Sequence, residues 1–113
     1  MSLNSFGERR ERILEQIRNI RFMRRGTINE QYLRVPQKNR ESLLRGPYYV
    51  LSWNEGGRTH SLRIKPGDLE QAEQDVEAYK SFQALAKEFA EVTEAMTREV
   101  RSGTEDLKKT PSP

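Results

Sequence analysis

The 113-residue chain has no cysteine and a single histidine, His60. Without cysteine it can form neither a disulfide nor a thiolate metal site, and one imidazole needs several carboxylates beside it to hold a metal. Its aspartates, Asp68, Asp75 and Asp106, show no paired-carboxylate spacing, and His60 has no evident nucleophile or orienting carboxylate. We therefore expect a packing role for His60, and we expect no metal, no cofactor and no enzymatic activity.

Long apolar runs are also absent. No run approaches the roughly 18 residues that cross a bilayer, and the start "MSLNSFGERR" lacks the apolar centre of a signal peptide. We expect a cytoplasmic protein of bacterial type without membrane contact. Hydrophobic and charged residues each make up about a third of the chain, and the net charge is only +3. The core must be modest and the surface of mixed charge.

The first half of the chain predicts one helix and one strand. An apolar stripe of isoleucines at helical spacing predicts a helix over about residues 6–24, with Gly26 as its C-terminal cap. The β-branched and aromatic run 27–35 predicts a strand that Pro36 ends. Residues 36–46 read as a polar connection whose geometry the pattern does not determine.

The stretch "GPYYVLSWNEGGRTHSLRI" predicts a β-hairpin with strands at about 47–54 and 58–65, because Gly56 and Gly57 suit a tight turn. A loop of two or four residues puts alternate side chains of the two strands on a common face. The predicted core face carries Tyr49, Leu51 and Trp53 with His60, Leu62 and Ile64. The predicted outer face carries Tyr48, Val50, Ser52 and Asn54 with Thr59, Ser61, Arg63 and Lys65.

A long helix is predicted over about residues 68–101, because no glycine or proline interrupts it before Gly103. Residues 1–102 would then form one domain, followed by a disordered polar tail at 103–113. Apolar side chains step along the helix by three and four, which is typical of a helix-pairing seam. The seam can pack on the first helix or on a second copy, and the greater length of this helix favours a homodimer. The predicted dimer interface is Phe82, Leu85, Phe89, Val92 and Met96.

Two basic sets are candidates for nucleic-acid contact. The first is an arginine flank on the predicted first helix, whose alternative interpretation is a solvated face with ion pairs inside the helix. The second is the outer hairpin face, where an aromatic ring beside cations can stack on bases or grip phosphates, or can simply aid solubility. The candidate residues are Arg10, Arg18, Arg21 and Arg25 on the helix, and Tyr48, Arg63 and Lys65 on the hairpin.

The segments "MRRGTINEQYLRV" and "GPYYVLSWNEGGRTHSLRI", followed by an amphipathic helix, resemble a family of small uncharacterised bacterial proteins. The resemblance covers about residues 23–100 and implies a glycine-started strand, a cysteine knuckle suited to zinc, an aromatic hairpin and a long helix. Val35, Arg40 and Ser42 stand here in the likely cysteine places, so a metal function of the family would not carry over. The "GGR" turn is also similar to that of the arm-type DNA-binding domains of integrases.

The sequence thus predicts an α+β protein with an N-terminal helix, a three-stranded antiparallel sheet and a long C-terminal helix, paired as a homodimer. The leading functional hypothesis is a non-catalytic accessory or regulatory protein that binds nucleic acid, with DNA as the first expectation. The alternative is a protein-interaction or assembly module that uses the long helix and the hairpin. The salt dependence of the binding affinity distinguishes the two hypotheses, because phosphate contacts weaken steeply with ionic strength and an apolar helix interface does not.

Overall fold

The structure, a computed structural model, describes residues 3–108 and confirms the predicted α+β architecture. Its three strands form one antiparallel sheet in the order β1-β2-β3. A 3-10 turn at Pro66–Asp68 leads from the sheet into the last helix. The elements are α1 (Leu3–Arg18), β1 (Thr27–Gln37), β2 (Arg40–Glu55), β3 (Arg58–Ile64) and α2 (Leu69–Lys108).

The chain divides into two compact units, and α2 contributes to both. The sheet unit is Phe22–Lys80, which holds all three strands and the beginning of α2. The helical unit consists of the described parts of Met1–Arg21 and Ser81–Pro113. The single domain expected over residues 1–102 stays a prediction.

The register of the β2–β3 hairpin is as predicted. Tyr49 pairs with Ile64, Leu51 with Leu62, and Trp53 with His60. The core of the sheet unit forms on this face, where Leu51, Ile64 and Val76 are buried and Leu69 and Ala72 of α2 pack against them. Leu62 departs from the prediction: its side chain is 45% exposed and lies outside this cluster, so the core covers Leu51 but not its partner on β3.

The first helix is shorter than predicted, since α1 ends at Arg18 and not near residue 24. The backbone N–H of Arg24 donates to the carbonyl oxygen of Asp75 at 2.9 Å, so it is not available to a helical turn. Gly26 does not cap the helix but precedes β1, with φ at +131°. A Cβ there would lie 2.5 Å from the carbonyl oxygen of Ser52, so the close approach of β2 requires glycine.

The region predicted as a polar connection is a β-hairpin. β1 runs through Pro36 to Gln37, and β2 begins at Arg40 after a two-residue turn in which Asn39 has φ at +61°. Pro36 is tolerated because β1 is an edge strand and because the register shifts between Val35 and Gln37. We call residues 32–45 the β-arm: its strands pair beyond the part of β2 that β3 reaches.

In the helical unit, Ile13 of α1 and Val92 of α2 are each only 2% exposed. The guanidinium of Arg10 lies over the Phe89 ring at 4.7 Å from its centroid, and Nε donates to the Thr93 hydroxyl at 3.0 Å. The predicted end of the long helix near residue 101 is wrong, because α2 continues past Gly103 to Lys108. The remainder of the predicted tail, 109–113, lies outside the described residues.

Candidate nucleic-acid interface

The outer face of the sheet is built from residues that pair across all three strands. Ser52 of β2 has Thr27 and Ser61 as its neighbours, and Val50 has Asn29 and Arg63. Most of these side chains are exposed, while Tyr48, Val50 and Ser52 are half-buried. The face consists of Thr27, Asn29 and Gln31 on β1, Tyr48, Val50, Ser52 and Asn54 on β2, and Thr59, Ser61 and Arg63 on β3.

This outer face carries a charged group of one sign only. Among the residues just named there is no carboxylate, because Glu30 and Glu55 alternate onto the opposite face with Tyr49 and Trp53. Arg63 is exposed, and Lys65 follows directly after β3. Within the described part of the chain, neither cation lies within ion-pair distance of a carboxylate. The face therefore offers hydroxyl and amide groups with unopposed positive charge.

Tyr48 and Arg63 form the centre of this surface. The guanidinium carbon of Arg63 lies 3.7 Å from the centroid of the Tyr48 ring, which is a close cation–π contact. A cleft of about 430 Å³ opens beside them. Its other lining residues are Pro47, Tyr49, Ile64, Lys65 and Pro66. An apolar wall with two cations at its edge suits a planar ring that carries a negative group.

The β-arm adds basic residues that sequence reasoning missed. Arg45 pairs with Leu33, which follows Gln31 by two positions on β1, so Arg45 extends the outer face toward the arm. At this junction Gly46 has φ at +139°, and Gly46 and Pro47 stand opposite Tyr32 as a bulge. The further arm cations are Arg34, which alternates onto the opposite face, and Lys38 and Arg40 near the arm's turn. The "KN" pair, with asparagine suited to a left-handed position, was the turn signal that could have located the arm.

The predicted arginine flank on the first helix is not present as such. Arg10 is part-buried against Phe89 and Thr93, and Arg18 forms an ion pair with Glu15 at 2.7 Å. Arg21 and Arg25 lie beyond the end of α1. Arg25 reaches Glu55 at 4.0 Å, in the sheet unit. The four arginines thus share no helical face, although their contact with nucleic acid stays a prediction.

The predicted seam lies on the part of α2 that belongs to the helical unit. Val92 is buried there, and Arg10 of α1 covers one face of Phe89. Phe82, Leu85 and Met96 are half-buried. Contacts within the chain therefore use much of this seam, and its role between two copies stays a prediction.

Trp53 and His60 form a stacked pair with ring centroids 5.5 Å apart. Arg24 lies over the indole at 5.4 Å, and His60 Nε2 is 3.3 Å from the carbonyl oxygen of Glu55. These contacts agree with the packing role expected of His60. They also hold Trp53 half-buried at the margin of the core.

The phenol of Tyr32 on the β-arm donates a hydrogen bond to Glu30 Oε1 at 2.9 Å. This bond favours the protonated phenol, and the nearby carboxylate charge adds to the effect, so the pKa of Tyr32 is raised.

The positions where the resemblance implies cysteines, Val35, Arg40 and Ser42, lie on the β-arm. The Ser42 hydroxyl accepts a hydrogen bond from Arg34 at 3.2 Å.

Among residues 3–108, no cluster of three or more histidine, cysteine or acidic side chains is arranged to hold a metal ion. Nor is any helix within this range long and apolar enough to span a membrane.

Comparison with curated proteins and with solved structures finds no match. A family model does match, over residues 6–74, which include most of α1, the whole sheet and the start of α2. The chain belongs to this family, which is described as a domain of unknown function, DUF6788.

Proposed function

We propose that the protein is a non-catalytic accessory or regulatory protein of the bacterial cytoplasm that binds nucleic acid, first of all DNA, as a homodimer. The observation that carries this proposal is the outer face of the sheet, where Arg63 lies over the Tyr48 ring beside Lys65 and none of the residues of that face is acidic. No carboxylate on this face opposes the approach of a polyanion to its cations.

Three kinds of side chain on this surface would contribute to nucleic-acid binding in different ways. Arg45, Arg63 and Lys65 supply the cations that displace counterions from phosphates, the sequence-independent part of affinity. Hydroxyls and amides such as Ser61 and Asn29 supply further donors to phosphate and sugar oxygens. The Tyr48 ring and the planar guanidinium above it offer a stacking platform for a base.

A protein-interaction module is the second candidate, and the β-arm favours it. Leu44 is 58% exposed, and Tyr32, Leu33 and Leu43 are also exposed. Exposed apolar side chains grouped on one projecting element are typical of protein contact surfaces. In this reading the sheet face aids solubility, and the β-arm does the binding.

The deciding experiment is a fluorescence-anisotropy titration of labelled duplex DNA at several salt concentrations. We expect wild-type affinity to fall steeply with salt, and Arg63→Ala to weaken binding and lower the salt slope by about one. Arg58→Ala is the matched control, because it removes an exposed arginine that pairs with Glu55 outside the outer face. Wild-type protein without affinity for DNA at low salt would overturn the proposal in favour of the interaction module.

A further inference from the structure

β1 is an edge strand whose outer side has no partner among the described residues. Its residues 29–34 are all exposed. An open strand edge presents unpaired N–H and C=O groups and is a ready template for another strand. Most native proteins cover or interrupt such an edge, so a long open one needs an explanation.

A cleft of about 480 Å³ runs between the start of this strand and α2, within the sheet unit. Ile28 and Val76 contribute apolar side chains to its lining. Its acidic side is a row of glutamates on α2, spaced by three and four residues so that they share one helix face. The row is Glu70, Glu73 and Glu77, and Lys80 adds one cation to the lining, so the carboxylates outnumber it. A strand that carries a cation beside apolar side chains would complement this cleft.

We propose that the occupant is the β-arm of a second copy of this chain, added antiparallel along β1. The arm offers a cation to the glutamate row and apolar side chains to the apolar part of the lining: Arg34 shares an arm face with exposed Tyr32 and Leu44. Both strands would be β1, so the contact is two-fold symmetric and each copy fills the cleft of the other. The two three-stranded sheets would join into one of six strands.

The faces of the strand define the register. Ile28, Glu30, Tyr32 and Arg34 alternate onto one side of β1, the side on which the core and α2 lie. A two-fold axis at Gln31 places Arg34 of the second copy opposite Ile28, beside the glutamate row. In this register Pro36, which has no N–H to donate, falls opposite Gly26 and outside the paired strand.

Other self-association surfaces fit less well. The β3 edge is only seven residues long. The α2 seam is partly occupied, since Val92 is buried and Arg10 covers Phe89. The longer edge of β1, together with the charge complementarity between arm and cleft, favours β1.

The inference rests on the homodimer of the proposed function and specifies the surface that forms it. A two-fold axis perpendicular to the joined sheet keeps both outer faces on one side. The carboxylate-free surfaces, each with its Tyr48–Arg63 pair, would then form one continuous binding face. Self-association is measured without nucleic acid, so its failure and a failure to bind DNA are separate results.

The absence of cysteine makes a direct cross-linking test possible. In Gln31→Cys the two introduced thiols would face each other at the axis, where directly opposed Cα atoms of antiparallel strands lie about 4.5–5.5 Å apart, within the roughly 4.4–6.8 Å that a disulfide spans. We expect mild oxidation to convert Gln31→Cys to a covalent dimer. Ser61→Cys on β3 is the control and should remain largely monomeric on a denaturing gel. Equal yields from the two variants would overturn the proposed register.

A charge exchange tests the arm and the cleft together by sedimentation equilibrium. We expect Arg34→Glu and Glu73→Arg each to raise the dimer dissociation constant by about tenfold or more, as truncation of paired charges at interfaces does. Combining the two changes should restore association toward the wild-type value. Arg58→Glu, an exposed charge reversal away from β1, is the matched control for charge and folding. Circular dichroism checks that each variant is folded.

A wild-type chain that stays monomeric at about 50 µM, well above the range of a micromolar complex, would overturn the inference. Equal weakening by Arg58→Glu, or folded single variants that associate like the wild type, would also overturn it. If DNA binding is absent while the charge exchange behaves as expected, the dimer stands and the proposed function fails. If DNA binds to a monomer, nucleic-acid binding stands and the dimer fails.

Discussion

Arg63 and Tyr48 are diagonal neighbours across the β2–β3 pair, since Arg63 stands directly opposite Val50, yet the guanidinium carbon reaches 3.7 Å from the Tyr48 ring centroid. A cation–π contact of this kind at an exposed site contributes about 0.5–1 kcal/mol. The contact aligns two planar groups on a surface that is otherwise made of short polar side chains. Tyr48 and Arg63 together thus form a platform on which a nucleic-acid base can stack.

Two substitutions of Tyr48 distinguish the contribution of its ring to binding from the contribution of its hydroxyl. If a base stacks on the platform that the Tyr48 ring and the guanidinium of Arg63 form together, Tyr48→Phe should bind a short single-stranded oligonucleotide like the wild type. Tyr48→Ala should lose about 1–3 kcal/mol of binding free energy, the usual contribution of one stacked base. Anisotropy titration at fixed salt measures both. Equal affinity of Tyr48→Ala and wild type would exclude the stacking role.

Gly26 and Gly57 both have positive φ, but only Gly26 is crowded. An added Cβ at Gly26 would meet the Ser52 carbonyl oxygen at 2.5 Å, whereas at Gly57 nothing lies within 4 Å. Gly26→Ala should therefore lower the free energy of unfolding by about 1–3 kcal/mol more than Gly57→Ala, the range found for overpacked sites. Urea denaturation followed by circular dichroism compares them. Similar midpoints would contradict the close approach of β2.

Tyr32 should titrate at higher pH than a free tyrosine. Its pKa is raised by the hydrogen bond it donates to Glu30 and by the charge of that carboxylate. A raised folded-state pKa means that its contribution to stability is present below the unfolded value of about 10 and is lost as pH rises through the folded value. Carbon NMR of labelled tyrosine follows the titration. In Glu30→Gln the pKa of Tyr32 should fall, and an unchanged titration would contradict the assigned cause.

Phe89 lies under Arg10 in the helical unit, so a carboxylate at this position would lose the apolar contact and face a half-buried environment. Phe89→Glu should lower the unfolding free energy by at least about 1 kcal/mol, whereas exposed Ala84→Glu on the same helix should stay within about 0.5 kcal/mol. Thermal denaturation of the two variants decides the matter. Ultracentrifugation of folded Phe89→Glu also tests the predicted seam, because a seam dimer requires this variant to be monomeric.

Short-range patterns located the hairpin and its register correctly. Gly56 and Gly57 define the turn, and strict alternation then assigns every face from Tyr48 to Ile64. Leu62 shows the limit of this reasoning, because alternation selects a face but not how much of that face the core covers. That coverage depends on tertiary packing, which no local pattern records.

The end of α1 and the β-arm were missed for related reasons. Arg21 continues the helical spacing, but a distant partner, the Asp75 carbonyl, takes the Arg24 amide. Pro36 normally ends a strand, and only its place on an edge beside a register shift allows β1 to continue. The candidate site was therefore predicted where it depends on alternation, at Tyr48 and Arg63, and missed where it depends on the β-arm.

Val76, which closes the core of the sheet unit, is supplied by α2 after the point where the family match ends at residue 74. A fragment cut to the matched span would keep every strand and still lose a side chain that is only 7% exposed. Such a fragment would expose Leu51 and Ile64 to water and would be prone to aggregate during expression. Recombinant work on the sheet should extend at least through Lys80, the last residue of the sheet unit.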